Sequence, residues 1–385
     1  MQTIVSPRHM LIGGGTVART AETLAALGLS RPFVVTDPWM VSSGTINRCL
    51  DPLARAGLAF RVFSDTVPDP TDTVVEAGVA AFQAGEHDCI IGFGGGSPMD
   101  TAKAIAILAA TGGHISAQKV PYAADRAAVP LICIPTTAGT GSEATRFTVI
   151  TDSARDEKML IAGLGALPLA AIVDYELTLT VPPRTTADTG IDSFTHALEA
   201  YVSKRANPVA DMYAERAMRV IGPNLRAVYH QPDNRAAREA MMLGATLAGL
   251  AFSNSSVALV HGMSRPIGAH FHVPHGLSNA MLLPAVTRYS LSAALPRYAE
   301  AARCMGCAAP GDADQVAGAK LLDELSALNA ELKVPTPAAY GIDADRWNGL
   351  LPTMAAQALA SGSPNNNPAV PDADAIMALY RECYG

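Results

Sequence analysis

The sequence predicts two domains, a parallel β-sheet covered by helices on both faces (residues 1–181) and an all-helical domain (residues 182–385). Three observations carry this. Short β-branched runs alternate with alanine-rich helical stretches through the first half, the pattern of strands joined by crossover helices. Near Val181-Pro182-Pro183 the strand signal ends, and the second half has helical apolar spacing and good helix formers. A glycine cluster, Gly94-Gly95-Gly96, stands where a strand runs into a helix, so that backbone can come close to a phosphate.

Taken in order, residues 8–12, 32–37, 60–65, 89–94 and 131–135 read as buried strands. The amphipathic stretches at 20–29, 71–85 and 99–110 read as the helices among them. Beyond the boundary, helices are predicted over 186–203, 209–227, 235–251 and 316–332, with a closing helix over 373–380. The longest nearly apolar run, 159–173, contains glycines and a proline and is too short to span a bilayer.

Composition excludes several classes. A chain of 385 residues with 49% hydrophobic and 16% charged residues is globular rather than disordered. A net charge of −7 leaves no basic footprint for nucleic acid. The first nine residues lack the pattern of a signal peptide, and six scattered cysteines suit reduced thiols, so a cytoplasmic protein is expected. Cys304-Met305-Gly306-Cys307 has redox or zinc spacing but no second pair, and reads as two ordinary cysteines at a helix end.

The segment Gly94-Gly95-Gly96-Ser97-Pro98-Met99-Asp100-Thr101-Ala102-Lys103 suits a pyrophosphate at a helix N-terminus. Ser97 is expected at the N-cap, Pro98 at the first helical position, and Asp100 closing a capping box. The glycines are contiguous, unlike the usual dinucleotide fingerprint, and a tight turn without a ligand is the alternative. Asp37 ends its strand where a carboxylate pairs with ribose hydroxyls and repels a 2′-phosphate, or it is a plain turn residue. The hydroxyl-rich loop Pro135-Thr136-Thr137-Ala138-Gly139-Thr140-Gly141-Ser142 either wraps a dinucleotide or is a polar turn.

In the second half, Asp192 and His196 stand four apart in a helical segment, so both project from one face. Six of the nine histidines fall between His196 and His275, among them His196, His261, His270, His272 and His275. One carboxylate with several imidazoles is a donor set for a divalent cation, although an isolated Asp-x-x-x-His pair is more often an exposed hydrogen bond.

Gly190-Ile191-Asp192-Ser193-Phe194-Thr195-His196-Ala197-Leu198-Glu199-Ala200 and His261-Gly262-Met263 through Pro274-His275-Gly276 resemble the two signatures of the iron-containing (group III) alcohol dehydrogenases. The resemblance runs along almost the whole chain. It implies a dehydroquinate synthase-like, iron alcohol dehydrogenase fold with a Rossmann-like first domain. It implies Fe(II), or alternatively Zn(II), on Asp192, His196, His261 and His275. It also implies that Gly95, Gly96, Ser97 and Asp100 belong to the pyrophosphate motif, and that Asp37 selects NAD. Thr136, Thr137 and Thr140 become cofactor contacts, Phe147 and Lys158 nicotinamide-side and ribose contacts, and Asp69 part of a nucleotide-side loop.

The implied activity is interconversion of a short-chain primary alcohol and its aldehyde in a homo-oligomer, dimer or larger. The sequence departs from the family at one position. Many members carry a histidine four residues after the first ligand of the second signature, and here that position is Arg265. Arg265 is therefore read as holding an anionic group on the substrate, or else as pairing with a ligand carboxylate or cofactor phosphate. His272, with His270, is a candidate proton relay, an alternative ligand or a pocket-wall residue. Two competing readings are a glycerol dehydrogenase-like or dehydroquinate synthase-like zinc enzyme, and a dinucleotide-binding sensor or assembly subunit without catalysis.

Overall fold

The computed structural model describes residues 3–155 and 157–385. The chain divides into two compact units, Val5–Thr180 and Val181–Gly385, with Thr3 and Ile4 grouped with the second.

The first unit carries strands β1 (His9–Ile12), β2 (Pro32–Val35), β3 (Arg61–Phe63), β4 (Cys89–Gly94), β5 (Leu131–Pro135), β6 (Phe147–Asp152), β7 (Glu157–Ala162) and β8 (Ala170–Val173). Six of them form one parallel sheet in the order β1-β8-β5-β4-β2-β3, while β6 and β7 pair antiparallel as a separate hairpin. The helices are α1 (Thr20–Ala26), α2 (Pro38–Ser42), α3 (Asn47–Arg55), α4 (Asp72–Gln83) and α5 (Gly96–Thr111).

Strand alternation sorts the sheet into two cores. Phe33, Val35 and Ile90 pack with Val75 of α4 and Met99 and Ile105 of α5. Val34, Ile91 and Phe93 pack on the other face with Leu24 of α1 and Leu53 of α3. Each such buried side chain contributes about 1.5–3 kcal/mol of transfer free energy. Both faces are covered, which is why the strands read as continuous apolar runs.

The strand order places a topological switch between β2 and β4. From β2 the chain moves outward to β3, and from β4 it moves the other way to β5. Asp37 and the glycines that follow β4 therefore flank the crevice where open α/β sheets take their ligands.

The β6–β7 hairpin and β8 lie outside the predicted strands. The apolar run at 159–173 turns out to hold part of β7, a short 3-10 turn and β8. Alanine-rich β8 has low strand propensity, and the hairpin carries charged residues Glu157 and Lys158, so tertiary pairing decides both.

The second unit holds α6 (Pro183–Val202), α7 (Pro208–His230), α8 (Arg235–Asn254), α9 (Leu259–Phe271), α10 (His275–Ser290), α11 (Leu295–Met305), α12 (Asp314–Glu331), α13 (Pro337–Tyr340), α14 (Ala344–Ala360) and α15 (Ala373–Cys383). Helix α6 is buried over nearly its whole length from Thr186 onward, with α7, α8 and α10 packed against it. A helix covered on all sides can bring polar residues together away from water, and α6 carries Asp192, His196 and Glu199. The closing helix α15 is pinned by the Tyr380 hydroxyl, which donates to the Met263 carbonyl at 2.6 Å, and by an edge-on contact of Trp347 with Tyr380.

All six cysteines are free. Cys304 lies in the last turn of α11 and Cys307 follows the helix. Burial pushes their thiols up to about 12 and about 11, so neither offers a thiolate at neutral pH. Among the described residues no single helix is long and apolar enough to cross a membrane. Helices α8 and α9 reach that threshold only as a pair bent by 104°.

Candidate functional site

In the first unit Asp37, the Gly95–Ser97 turn and the Thr136–Thr140 loop stand at the carboxyl ends of β2, β4 and β5, while Asp69 follows β3 and Phe147 and Lys158 lie in the β6–β7 hairpin. Gly94 adopts φ +145°, a conformation that favours glycine, and a Cβ there would stand 2.6 Å from Pro98 Cγ. The expected N-cap at Ser97 is not formed. Gly95 is the N-cap, α5 begins at Gly96, and Ser97 is its second residue. The reason is steric. A Cβ on Gly96 would lie 2.9 Å from Thr140 Cγ2, so only glycine lets the helix start that early against the threonine loop. The first turn has no side-chain cap, which leaves its N–H groups available to an anion.

The expected capping box at Asp100 is likewise absent. Its carboxylate accepts from Ser142 Oγ at 2.9 Å and from the Val149 N–H at 2.9 Å, tying α5 to the loop after β5, and burial pushes the carboxyl up. Lys103, which closes the glycine motif but carries no separate role in the sequence reading, does more. Its fully buried ammonium donates to the Ser142 and Phe147 carbonyls at 2.7 Å, and to the Thr145 carbonyl and hydroxyl at 3.0 Å. The available signal was a lysine among Ala102, Ala104 and Ile105 on an otherwise apolar helix, a place where a charge survives only with dedicated partners.

Asp37 caps α2 by accepting from the Met40 N–H at 2.9 Å through Oδ1, and a Cβ on Gly94 would stand 3.5 Å from its Oδ2. Thr136 donates its N–H to the Gly94 carbonyl at 2.9 Å, while its hydroxyl is buried without a partner among the described residues. Such a hydroxyl costs about 1–3 kcal/mol unless a ligand meets it. Thr137 lies near Gly95 and Thr140 against Gly96. Asp69, at φ +51°, accepts from Lys158 Nζ at 2.6 Å, so these two candidates form one ion pair. Phe147 opens β6, with the Arg146 guanidinium 5.9 Å from its ring centre.

In the second unit Asp192, His196, His261 and His275 offer one ligand atom each, all within 4.8 Å of one another. Asp192 and His196 come from α6, His261 from the first turn of α9, and His275 is the first residue of α10. Asp192 Oδ1 lies 3.5 Å from His261 Nε2 and 3.9 Å from the Nε2 atoms of His196 and His275. The His196 ring stacks on His261 at 4.4 Å between centres. Gly276 permits the approach of α10, since a Cβ there would stand 2.5 Å from the Asp188 carbonyl oxygen. Burial alone would push the Asp192 carboxyl up, but the nearby imidazoles of His196, His275 and His261 hold it well below the usual range.

Two further residues complete the cluster. Asn279, one turn after His275, donates its amide to Asp192 Oδ1 at 2.6 Å, with His261 Nε2 at 3.1 Å and His275 Nε2 at 3.2 Å. Its own Oδ1 is buried without a partner among the described residues. Glu199 accepts from His261 Nδ1 at 2.7 Å and from two backbone N–H groups at the start of α9. Helical spacing was the signal for both, four residues from His275 and seven from Asp192.

These donors fit a dication. Four acceptor atoms converge on one buried point, an arrangement that repels itself unless a cation or strong donor stands among them. A carboxylate and three imidazoles suit Fe(II) or Zn(II) equally by donor type.

Arg265 stands one turn after His261 on α9, half-buried, with Nη1 donating to Ser363 Oγ at 3.1 Å. Burial pushes its guanidinium down and the Glu199 charge opposes this, yet among the described residues Arg265 forms no ion pair. His270 is held by Gln357 Oε1 at 2.8 Å. His272 is exposed and ends α9 in the left-handed conformation, φ +55°, outside the four-residue cluster.

Two family descriptions match the chain in succession, iron-containing alcohol dehydrogenase over residues 7–175 and the C-terminal domain of the Fe-containing alcohol dehydrogenase family over residues 186–384. The chain is 36% identical over 336 residues to the NAD-dependent methanol dehydrogenase of Bacillus methanolicus, covering 87% of this chain and 88% of that protein. It superposes on a crystal structure of 1,3-propanediol oxidoreductase with a TM-score of 0.95 at 34% identity, over 100% of both chains. A sulfoacetaldehyde reductase from Bifidobacterium kashiwanohense in complex with NAD+ matches with a TM-score of 0.89 at 28% identity, over 100% of this chain and 99% of that one.

Proposed function

The chain belongs to the iron-containing alcohol dehydrogenase family, and from that premise we propose an NAD(H)-linked, Fe(II)-dependent enzyme that interconverts a short-chain primary alcohol and its aldehyde. The observation that carries this reading is the convergence of Asp192, His196, His261 and His275 on one buried point. A dication bound there supplies Lewis acidity to the substrate oxygen, several kcal/mol of stabilisation where charge develops. Zn(II) is the alternative that the same donors accept.

The protein's own groups do the rest. The uncapped N–H groups at Gly95, Gly96 and Ser97 receive the pyrophosphate, and the Thr136 hydroxyl supplies a hydrogen bond to the cofactor, with Thr137 and Thr140 beside it. Asp100 and Lys103 hold that loop in shape. Asp37 takes the adenosine ribose with the oxygen that its cap leaves over, and its charge disfavours a 2′-phosphate. Phe147 and Lys158 supply the nicotinamide-side and ribose contacts, and Asp69, paired with Lys158, belongs to the nucleotide-side loop. Asp37→Ser should therefore shift the NADPH to NADH ratio of kcat/KM upward by about 10- to 100-fold. An unchanged ratio in steady-state assays removes Asp37 from this role.

Arg265 refines the substrate class. A half-buried guanidinium with one hydroxyl partner retains donors for an anion, so the reading includes a carboxylate, sulfonate or phosphonate on the aldehyde. The likeness to a solved sulfoacetaldehyde reductase, whose named substrate carries a sulfonate, supports it. His272, facing solvent, is retained as the proton exchanger with water. The reading also places the protein in the cytoplasm as a homo-oligomer, in keeping with its free cysteines.

The test is anaerobic purification with Fe(II) or Zn(II), measurement of bound metal, and NADH and NADPH oxidation over a panel of neutral and acidic short aldehydes. Metal-dependent NADH oxidation is expected, with acidic aldehydes preferred. Arg265→Ala should lower that preference by about 10- to 100-fold, the value of a charge-assisted contact. Equal preference in both proteins removes the anionic group from the reading. Full metal occupancy with no turnover on any aldehyde favours a dinucleotide-binding protein without catalysis.

A further inference from the structure

Glu199 lies two turns after Asp192 on α6 and is buried to 3% exposure, and among the described residues its carboxylate hydrogen-bonds to α9 and the segment that enters it. Its Oε1 accepts from the Val260 N–H at 2.6 Å. Its Oε2 accepts from the Ala258 N–H at 2.8 Å and faces His261 Nδ1 at 2.7 Å. A carboxylate engaged in this way has only acceptors to offer, so the His261 proton resides on Nδ1. The other ring nitrogen, Nε2, then presents a lone pair toward Asp192 Oδ1 at 3.5 Å, and the Asn279 amide nitrogen at 3.1 Å is the matching donor.

We propose that Glu199 is a positioning residue for the metal, fixing the tautomer and ring direction of His261 so that Nε2 is aimed at the point shared with Asp192, His196 and His275. This rests on the reading of those four residues as the metal site. The backbone contacts add a second action. By holding the Ala258 and Val260 N–H groups, Glu199 sets where α9 starts relative to α6, and His261 is in the first turn of α9. One carboxylate thus controls both the position of the ring and the identity of its free nitrogen. Carboxylate partners of this kind typically change metal affinity by about 10- to 100-fold.

Glu199→Gln is the discriminating variant. Its amide nitrogen must replace one carboxylate oxygen, facing either the Val260 N–H or both the Ala258 N–H and His261 Nδ1. It retains size and burial but cannot serve all three donors. Metal-free wild type and variant would be titrated with Co(II) alone, following its visible absorption, and the thermal melting of both metal-free proteins would be compared. Wild type should bind one Co(II), and the variant should bind about 10- to 100-fold more weakly while melting within a few degrees of wild type. Equal Co(II) affinity in the two proteins overturns the proposal and makes Glu199 a helix cap alone.

A second measurement needs no variant. In metal-free wild type labelled with ¹⁵N-histidine, long-range ¹H–¹⁵N spectra should show His261 protonated on Nδ1. A bare Nδ1, with the proton on Nε2 alone, overturns the proposal, and this result decides it should Glu199→Gln fail to fold. Failure of wild type to bind Co(II) would count against the metal reading itself, whereas the tautomer reports on Glu199 independently.

Discussion

His261→Ala is expected to purify without stoichiometric metal and to lose at least about 100-fold in kcat/KM for aldehyde reduction. The magnitude follows from the several kcal/mol that a dication contributes to developing charge, each 1.36 kcal/mol being tenfold in rate. His261 is the ligand to choose because its contacts extend furthest. It stacks on His196, faces Asp192 Oδ1 at 3.5 Å, and pairs with Glu199 at 2.7 Å. Alanine removes one donor and also leaves Glu199 with backbone partners alone, so the variant should melt lower by the equivalent of about 1–3 kcal/mol. Metal analysis and circular dichroism separate the two consequences. A folded variant that keeps full metal and full turnover would remove His261 from the ligand set.

Lys103→Met is expected to destabilise the first unit by about 3–5 kcal/mol, the usual cost of deleting one member of a buried charged network. Methionine fills the space of the stem but leaves the Ser142, Thr145 and Phe147 carbonyls and the Thr145 hydroxyl without their shared donor. Burial already pushes the Lys103 ammonium down, opposed chiefly by the nearby Asp100 charge, so the network depends on both members. Against a total stability of about 5–15 kcal/mol the loss is large, corresponding to roughly 6–20 °C in melting temperature for a unit of this size. The four acceptors belong to the segment that follows Thr136, Thr137 and Thr140, so KM for NAD should rise more than kcat falls. Melting within 2–3 °C of wild type, followed by calorimetry, would contradict this account of the buried ammonium.

Local chemistry made part of the protein legible in its sequence. The parallel sheet was readable because strands buried on both faces must be continuously apolar, as Phe33-Val34-Val35 and Cys89-Ile90-Ile91 are. The shared face of Asp192 and His196 was readable because a spacing of four is nearly one helical turn. By the same rule Glu199 and Asn279 were available to the eye, at seven residues from Asp192 and four from His275. The start of α5 was misjudged because cap preference favours Ser97, whereas close packing of Gly96 on Thr140 decided the matter. The β6–β7 hairpin was hidden by mixed polarity along short strands.

The sequence by itself determined the succession of β1 to β5 with the helices α1, α4 and α5 among them, the glycine-bearing turn after β4, and the two donors that share α6. Only the tertiary structure decided that His261 and His275, from two other helices, meet those donors within 4.8 Å. It also decided that the Lys103 ammonium is caged by four oxygens. The physical reason is range. Helical periodicity and cap chemistry act over a few residues, while the approach of α10 to α6 depends on the absence of a side chain at Gly276 against the Asp188 carbonyl, 88 positions earlier in the chain.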